Sequence, residues 1–504
     1  MGLEDCGSAA TAGDREKGLP DDAQPDSYRD NTLARHQSPV IHPPISRLAA
    51  YWRKFEQQLV IYHLEARGIQ RVEADERIRL SWLSYVQAFL LWVSINLAAN
   101  NISLGMLGPA VFELSFLDSS LCAVLGAAVG SLAVAWTATW GPVSGNRTMV
   151  FGRYAMDCVV GGQILSAVSP DGSMSVAVGI VIVAIISWLV STFGIHIFHY
   201  YERYAFLPQI IVVSILYGVS SAKYDLDTPS VGDSRTVAGN RLSFFSICLS
   251  AAITYSGLAG DLFVYYPTTT SLPTLFTLTF LGLTTSFTMA FVVGIGLASG
   301  IHTHPEYESA WSIGSGKLMV EGFSPLHKFG SFCSVVVALG LIANTIPPTY
   351  SAGIDFQMLG RYAEVVPRII WNTLVVVIYT VCALVGRGHL SEIFTNFLAL
   401  MGYWVVIWIA ILLEERYMFR RSKDTYIWAA WNDRDKLPHG IAAFVAFVVG
   451  WVGAVLSMAQ VWYVGPIAGL VGDYGADMGN YVGFTWAALV YPPLRYAELR
   501  YSGK

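Results

Sequence analysis

The chain has 504 residues, 54% of them hydrophobic and only 13% charged, with a formal net charge of −5. An ordinary soluble domain carries about 25% charge, so this composition excludes a soluble globule, and without a basic surplus it gives no sign of a nucleic-acid binder. The six cysteines are scattered and five fall in apolar runs, which excludes a zinc-like cluster and leaves them as small buried hydrophobes.

Residues 1–45 are polar, acidic and proline-containing, have no apolar signal-peptide core, and read as a disordered cytosolic tail. Residues 46–80 place apolar positions at helical spacing among Arg53, Lys54, Arg67, Arg71, Arg77 and Arg79. They read as a cytosolic amphipathic helix with a polar linker. About twelve hydrophobic segments follow, near 82–112, 119–141, 150–169, 173–197, 203–222, 242–266, 272–299, 328–356, 367–386, 390–413, 439–460 and 480–494. A membrane helix needs about 20 apolar residues, and the third segment falls short. It reads VFGRYAMDCVVGGQILSAVS, with Arg153 and Asp157 inside it, and charges at such depth are costly.

The expected fold class is therefore an all-α polytopic membrane protein with its third helix truncated. Residues 81–414 form the main block of membrane helices, 415–438 a cytosolic loop, 439–494 the last two membrane helices and 495–504 a cytosolic tail. Basic residues at Arg147, Arg153, Arg203, Arg361, Arg368, Arg416, Arg420, Arg421, Lys423, Arg495, Arg500 and Lys504 share one side if all twelve segments cross. The positive-inside rule then puts the amino terminus in the cytoplasm.

Two segments are interrupted in corresponding ways. The first holds Asn100-Asn101 and then Gly105 and Gly108-Pro109; the sixth holds Tyr255-Ser256-Gly257 and Gly260-Asp261. Matching interruptions in two halves point to an inverted-repeat transporter with a site at mid-membrane; glycine-mediated helix packing is the plainer reading of either patch alone. Asp261 is either a proton carrier or partner of a freed helix end, or a structural acid at the cytosolic end of its helix. The eighth segment carries Asn344, Thr345, Pro347, Pro348, Thr349, Tyr350 and Ser351 within an apolar run. Its prolines free carbonyls beside hydroxyls, as ion or substrate coordination requires. Asn344 offers a donor and an acceptor to the edge of a planar heterocycle; interhelical hydrogen bonding is the alternative. No catalytic triad, Walker loop, dinucleotide motif or metal cluster stands at useful spacing, so an enzyme is not expected.

The stretch LGMLGPAVFELSFLDSSLCAVLGAAVGSLAVAWTATWGPVSGNRTMVFGRY, together with GGQILSAVS, GIHIFHYYERYAFLPQ, DLFVYYP, ANTIPPTYSAG, NFLALMGYW and GDYGAD, resembles the fungal purine–cytosine permeases of the nucleobase–cation symporter family. The resemblance covers about residues 80–500. It implies a five-plus-five inverted-repeat core with discontinuous helices one and six, no cofactor, and proton-coupled uptake of purines or cytosine across the plasma membrane. It also implies a substrate site. Tyr255 matches the stacking aromatic six residues before the family's Asp, here Asp261, where the family more often has Trp. Asn344 matches the Asn three before the proline, and Pro348 replaces a second Asn that often follows it. Ser103 is the candidate hydroxyl in helix one and Asp157 the polar residue in helix three. Asp261, Pro347, Thr349 and Ser351 are the coupling or structural candidates.

One departure is large. Family members carry roughly thirty more residues between a stretch like RTMVFGRY and one like DCVVGGQ, enough for a membrane helix. Here Tyr154-Ala155-Met156 runs directly into Asp157. The expectation is a secondary transporter impaired by this missing segment. The alternatives are a transport-inactive membrane sensor or truncated product, or a transporter of another small heterocycle such as a vitamin or an allantoin-like compound.

Overall fold

The computed structural model describes residue 52 and residues 68–148, 176–193, 195–359, 361–386, 390–421, 428 and 440–502. Residues 1–45, most of the 46–67 stretch, the third hydrophobic segment at 150–169 and Asp157 lie outside the described residues.

The first hydrophobic segment is two helices, α1 (Trp82–Asn96) and α2 (Ala99–Ala110), bent by 58°. The break is at Leu97 and Ala98, ahead of the expected Asn100-Asn101 and Gly105–Pro109 patches, and α2 runs straight through Gly105, Gly108 and Pro109. The local cause is side-chain competition for the ends of α1. Asn96 Nδ2 donates to the Trp92 carbonyl at 3.0 Å and Asn101 Nδ2 to the Asn96 carbonyl at 2.7 Å. The glycines of α2 serve packing instead: a Cβ on Gly105 would sit 2.3 Å from the Phe291 carbonyl oxygen.

Next comes α3 (Phe116–Ala138), capped where Ser115 accepts from the Asp118 amide at 3.1 Å. Its large residues Leu117, Leu121, Leu125, Val129 and Leu132 are exposed, while Ser119, Ala123, Ala127 and Gly130 are buried. Apolar bulk outside and small residues at the helix contacts is the pattern of a helix whose solvent is lipid. The short α4 (Trp140–Ser144) ends at Gly145, whose φ of 68° suits glycine.

The remaining helices are α5 (Val176–Phe193), α6 (Ile195–Ser220), α7 (Ser234–Ile253), α8 (Ser256–Leu262), α9 (Leu272–Ser299), α10 (Pro305–Ile313), α11 (Ser315–Gly322), α12 (His327–Asp355), α13 (Arg361–Val365), α14 (Arg368–Gly386), α15 (Leu390–Glu414), α16 (Ile441–Ser457) and α17 (Gly479–Ser502). A two-residue-per-strand hairpin pairs Ala459–Gln460 with Tyr463–Val464 between the last two helices. Among the described residues seven helical stretches are long and apolar enough to cross a bilayer, and the bent α1–α2 pair passes as one broken span. Residues 68–80 hold a single 3-10 turn, Ala74–Glu76, and otherwise run as the linker. They are tied down by Val72 N donating to the Gly145 carbonyl and Ile78 N to the Tyr265 carbonyl.

The sixth segment is interrupted more gently than the first. Thr254 and Tyr255 separate α7 from α8 as a turn, with φ/ψ of −59°/−25° and −68°/−12°. The core gathers at these two interruptions: Trp92, Phe263, Phe287 and Phe291 are all fully buried there.

Candidate functional site

The broken end of α1, the α7–α8 turn and the middle of α12 meet at one side chain. Asn344 Nδ2 donates to the Ile95 carbonyl at 2.7 Å and to the Tyr255 hydroxyl at 2.9 Å. Its Oδ1 accepts from Asn100 Nδ2 at 3.3 Å. The Ile95 carbonyl is available because the break in α1 takes away its helical donor. Asn344, Tyr255 and Asn100 are buried. Aromatic rings wall the junction: Trp92 meets Tyr255 edge-on with centroids 5.9 Å apart, and Phe287 meets it at 6.3 Å.

The junction carries no charge, and three of its polar atoms lack partners. Trp92 Nε1, Asn96 Oδ1 and Asn100 Oδ1 are buried without a hydrogen bond. Such groups cost free energy, and here they supply one donor and two acceptors beside an asparagine already engaged on both sides.

Other expected residues fall elsewhere. Ser103 Oγ donates to Ser315 Oγ at 3.1 Å, so it faces α11 rather than Tyr255 or Asn344. Asp261 is buried, and its Oδ1 accepts from the Thr148 amide and, at 3.0 Å, from the Thr148 hydroxyl. Arg147 donates to the Asp261 main-chain carbonyl at 3.4 Å and lies 5.5 Å from the ring centroids of Tyr265 and Tyr350. Ser351 adjoins the same carboxylate from α12. Asp261 therefore sits in a cluster that ties the chain after α4 to α8 and α12.

Helix α12 continues through Pro347 and Pro348. The missing N–H groups free the carbonyls of Ala343 and Asn344. Thr345 and Thr349 hydroxyls turn back onto their own helix, donating to the Leu341 and Thr345 carbonyls at 2.8 Å each. Sequence reasoning placed Tyr255 and Asn344 together, and the structure brings them into contact. It missed Trp92 and Phe287, which read as ordinary apolar positions, and it used Asn100 only as a sign of interruption.

No family model matches this chain. Among characterised proteins it is 32% identical to the vitamin B6 transporter of Saccharomyces cerevisiae, covering 94% of this chain and 93% of the relative. It is 31% identical to a purine–cytosine permease of Emericella nidulans, covering 90% and 92%. A second purine–cytosine permease, from S. cerevisiae, is 30% identical over 87% of this chain and 88% of its own. Among solved structures, a nucleobase–cation-symport transporter closed around a bound hydantoin superposes with a TM-score of 0.62 at 12% identity, over 87% of this chain and 96% of that one. Its inward-facing form gives 0.55, over 86% and 95%. These likenesses show the fold, an inverted-repeat transporter core. The alignment lengths carry a further fact. The match to the vitamin B6 transporter runs over 546 positions, yet 94% of this chain is about 474 residues, so the relative has residues at about 70 positions where this chain has none. For the Emericella permease the same difference is about 23.

Proposed function

Since this chain belongs to the purine–cytosine permease family of nucleobase–cation symporters, we propose that it is a multi-pass plasma-membrane symporter for a neutral, planar nitrogen heterocycle, driven by protons, with its amino terminus in the cytoplasm. One observation carries the reading: the Asn344 amide joins the freed Ile95 carbonyl of α1 to the Tyr255 hydroxyl at the α7–α8 turn. A ligand that competes for this amide bears on both interrupted helices at once. That is how binding can bias an inverted-repeat core between its two faces.

The ligand's ring lies against Tyr255, its edge engages Asn344, and Trp92 Nε1 and Asn100 Oδ1 complete the polar set. An uncharged junction suits an uncharged base. Purines and cytosine are the first reading. A vitamin B6-type ring is the second, because it is also a neutral planar heterocycle and the vitamin B6 transporter is as similar to this chain as the permeases are. Uptake of radiolabelled adenine, cytosine and pyridoxine by yeast lacking its own permeases tests this. Accumulation of one of them, blocked by excess of the others that bind, is expected. Binding without accumulation would mark a sensor, and neither binding nor accumulation by surface-expressed protein would sink the reading.

Two further results are expected. Tyr255→Phe keeps the ring and removes the hydroxyl that accepts from Asn344, so affinity falls roughly tenfold, the worth of one such hydrogen bond. Inserting the corresponding stretch of the Emericella permease between Met156 and Asp157 raises uptake several-fold. Over the aligned length this chain lacks residues at about 23 positions that the Emericella permease fills, and about 20 residues are enough for a membrane helix. Unchanged uptake after insertion would show that the short form is complete.

A further inference from the structure

We propose that Asp477 is a second functional site, a reversibly protonated carboxylate linked through α7 to Tyr255; this rests on the symporter reading above and names the group that carries its proton. Asp477 is 2% exposed and lies just ahead of α17. Its Oδ1 accepts from the Tyr403 hydroxyl of α15 at 2.6 Å and from Gly479 N at 3.1 Å. Ser246 Oγ of α7 and Gln460 Nε2 of the hairpin lie against Oδ2 at 3.5 Å each, and the Ala459 amide of the hairpin also donates to the carboxylate.

No basic side chain compensates this carboxylate among the described residues. In this it differs from Asp261, whose cluster contains Arg147. A buried, unpaired carboxylate is costly when ionised and readily takes a proton instead. The surroundings accept either state. Ionised, Oδ1 keeps the Tyr403 and Gly479 donors. On protonation a hydronium O–H bond breaks, leaving water, and an O–H bond forms at Oδ2 that can donate to Ser246 Oγ, which still accepts from Asn480 Nδ2 at 2.8 Å. No other bond forms or breaks.

The site is built closely. A Cβ on Gly479 would lie 2.5 Å from the Tyr403 ring, and one on Gly402 would lie 1.9 Å from Ser250 Oγ. Two further oxygens, Gln460 Oε1 and Asn480 Oδ1, are buried there without donors. The titratable groups around it are Tyr403 on α15 and Tyr481 on α17. Arg235 and Arg241 at the start of α7 are engaged elsewhere, with the Leu470 carbonyl and Asp118.

The link to substrate is α7 itself. Ser246 and Ser250 touch this network, and the helix ends at Ile253, where the Thr254–Tyr255 turn presents Tyr255 to Asn344. A change at Ser246 is transmitted along one rigid helix to the substrate junction, and by linkage a bound base must alter the proton affinity of Asp477.

The test is an infrared pH titration of the full chain in liposomes, with and without cytosine or pyridoxine, and with radioligand occupancy measured in the same samples. A protonated-carboxyl band that titrates in the wild-type chain, is missing in Asp477→Asn, and moves with at least a threefold change in proton affinity when base is bound is the expected result. Tyr403→Phe, the milder variant, should raise proton affinity about tenfold by removing a donor to the anion. A band that survives Asp477→Asn, or one that bound base does not move, overturns the proposal. Absence of radioligand binding to the wild-type chain sinks the transport reading instead, while loss of the band in Asp477→Asn still decides the proton site.

Discussion

Asn344→Ala is expected to abolish measurable uptake while the protein still reaches the cell surface. The amide makes two short hydrogen bonds, to Ile95 O and the Tyr255 hydroxyl, and accepts a third from Asn100. Its removal leaves three buried polar groups without that partner, each costing about 1–3 kcal/mol. It also removes the donor–acceptor pair that would read a ligand's edge. A loss of about 2.8 kcal/mol in binding is already a hundredfold in affinity. Surface biotinylation beside the uptake assay separates the two effects. Full uptake by the variant would show that the substrate binds elsewhere.

The second large effect is expected from a single methyl group. Helices α2 and α9 touch backbone to backbone: a Cβ on Gly294 would fall 1.9 Å from the Ile102 carbonyl oxygen, as one on Gly105 would meet Phe291. Neither partner is a flexible side-chain end, so Gly294→Ala must push α2 away from α9. Overpacking of this kind costs about 1–3 kcal/mol. Because α2 starts at the break beside the proposed substrate junction, binding should weaken along with stability. Gly218 on α6 is the control, since nothing lies within 4 Å of its Cβ direction. A thermal melt in detergent should fall for Gly294→Ala and hold or rise for Gly218→Ala. Equal melting of both would contradict the close approach.

Much of this was legible in the residues. Hydrophobic run length located the membrane helices because lipid leaves helices and closed barrels as the spanning solutions, and the ends of the long segments agree with the helices to within several residues. The pairing of Tyr255 with Asn344 came from the family motif and is a direct contact in the structure. The break in the first helix was harder to place. Gly105, Gly108 and Pro109 carry the composition of a breaker, yet they lie within α2, and two asparagine amides bonded to main-chain carbonyls mark the bend instead. Composition reports what a residue permits; only the neighbours, here Phe291 and Phe244 against those glycines, decide whether the permission is used for a bend or for packing. Trp92 and Phe287 escaped for the same reason, since nothing in an apolar membrane helix distinguishes a ring facing a ligand from one facing another helix. Asp477 was visible only as part of a motif. Its surroundings, with no basic partner among the described residues, depend on α7, α15 and the hairpin folding round it.

Photolabelling with a light-activated planar base, followed by mass spectrometry of the labelled peptides, locates the substrate directly. Label is expected on peptides containing Trp92, Tyr255 or Asn344, displaced by excess unlabelled base and lost in Asn344→Ala. Displaceable label confined to other helices, such as α15 to α17, would contradict this placement.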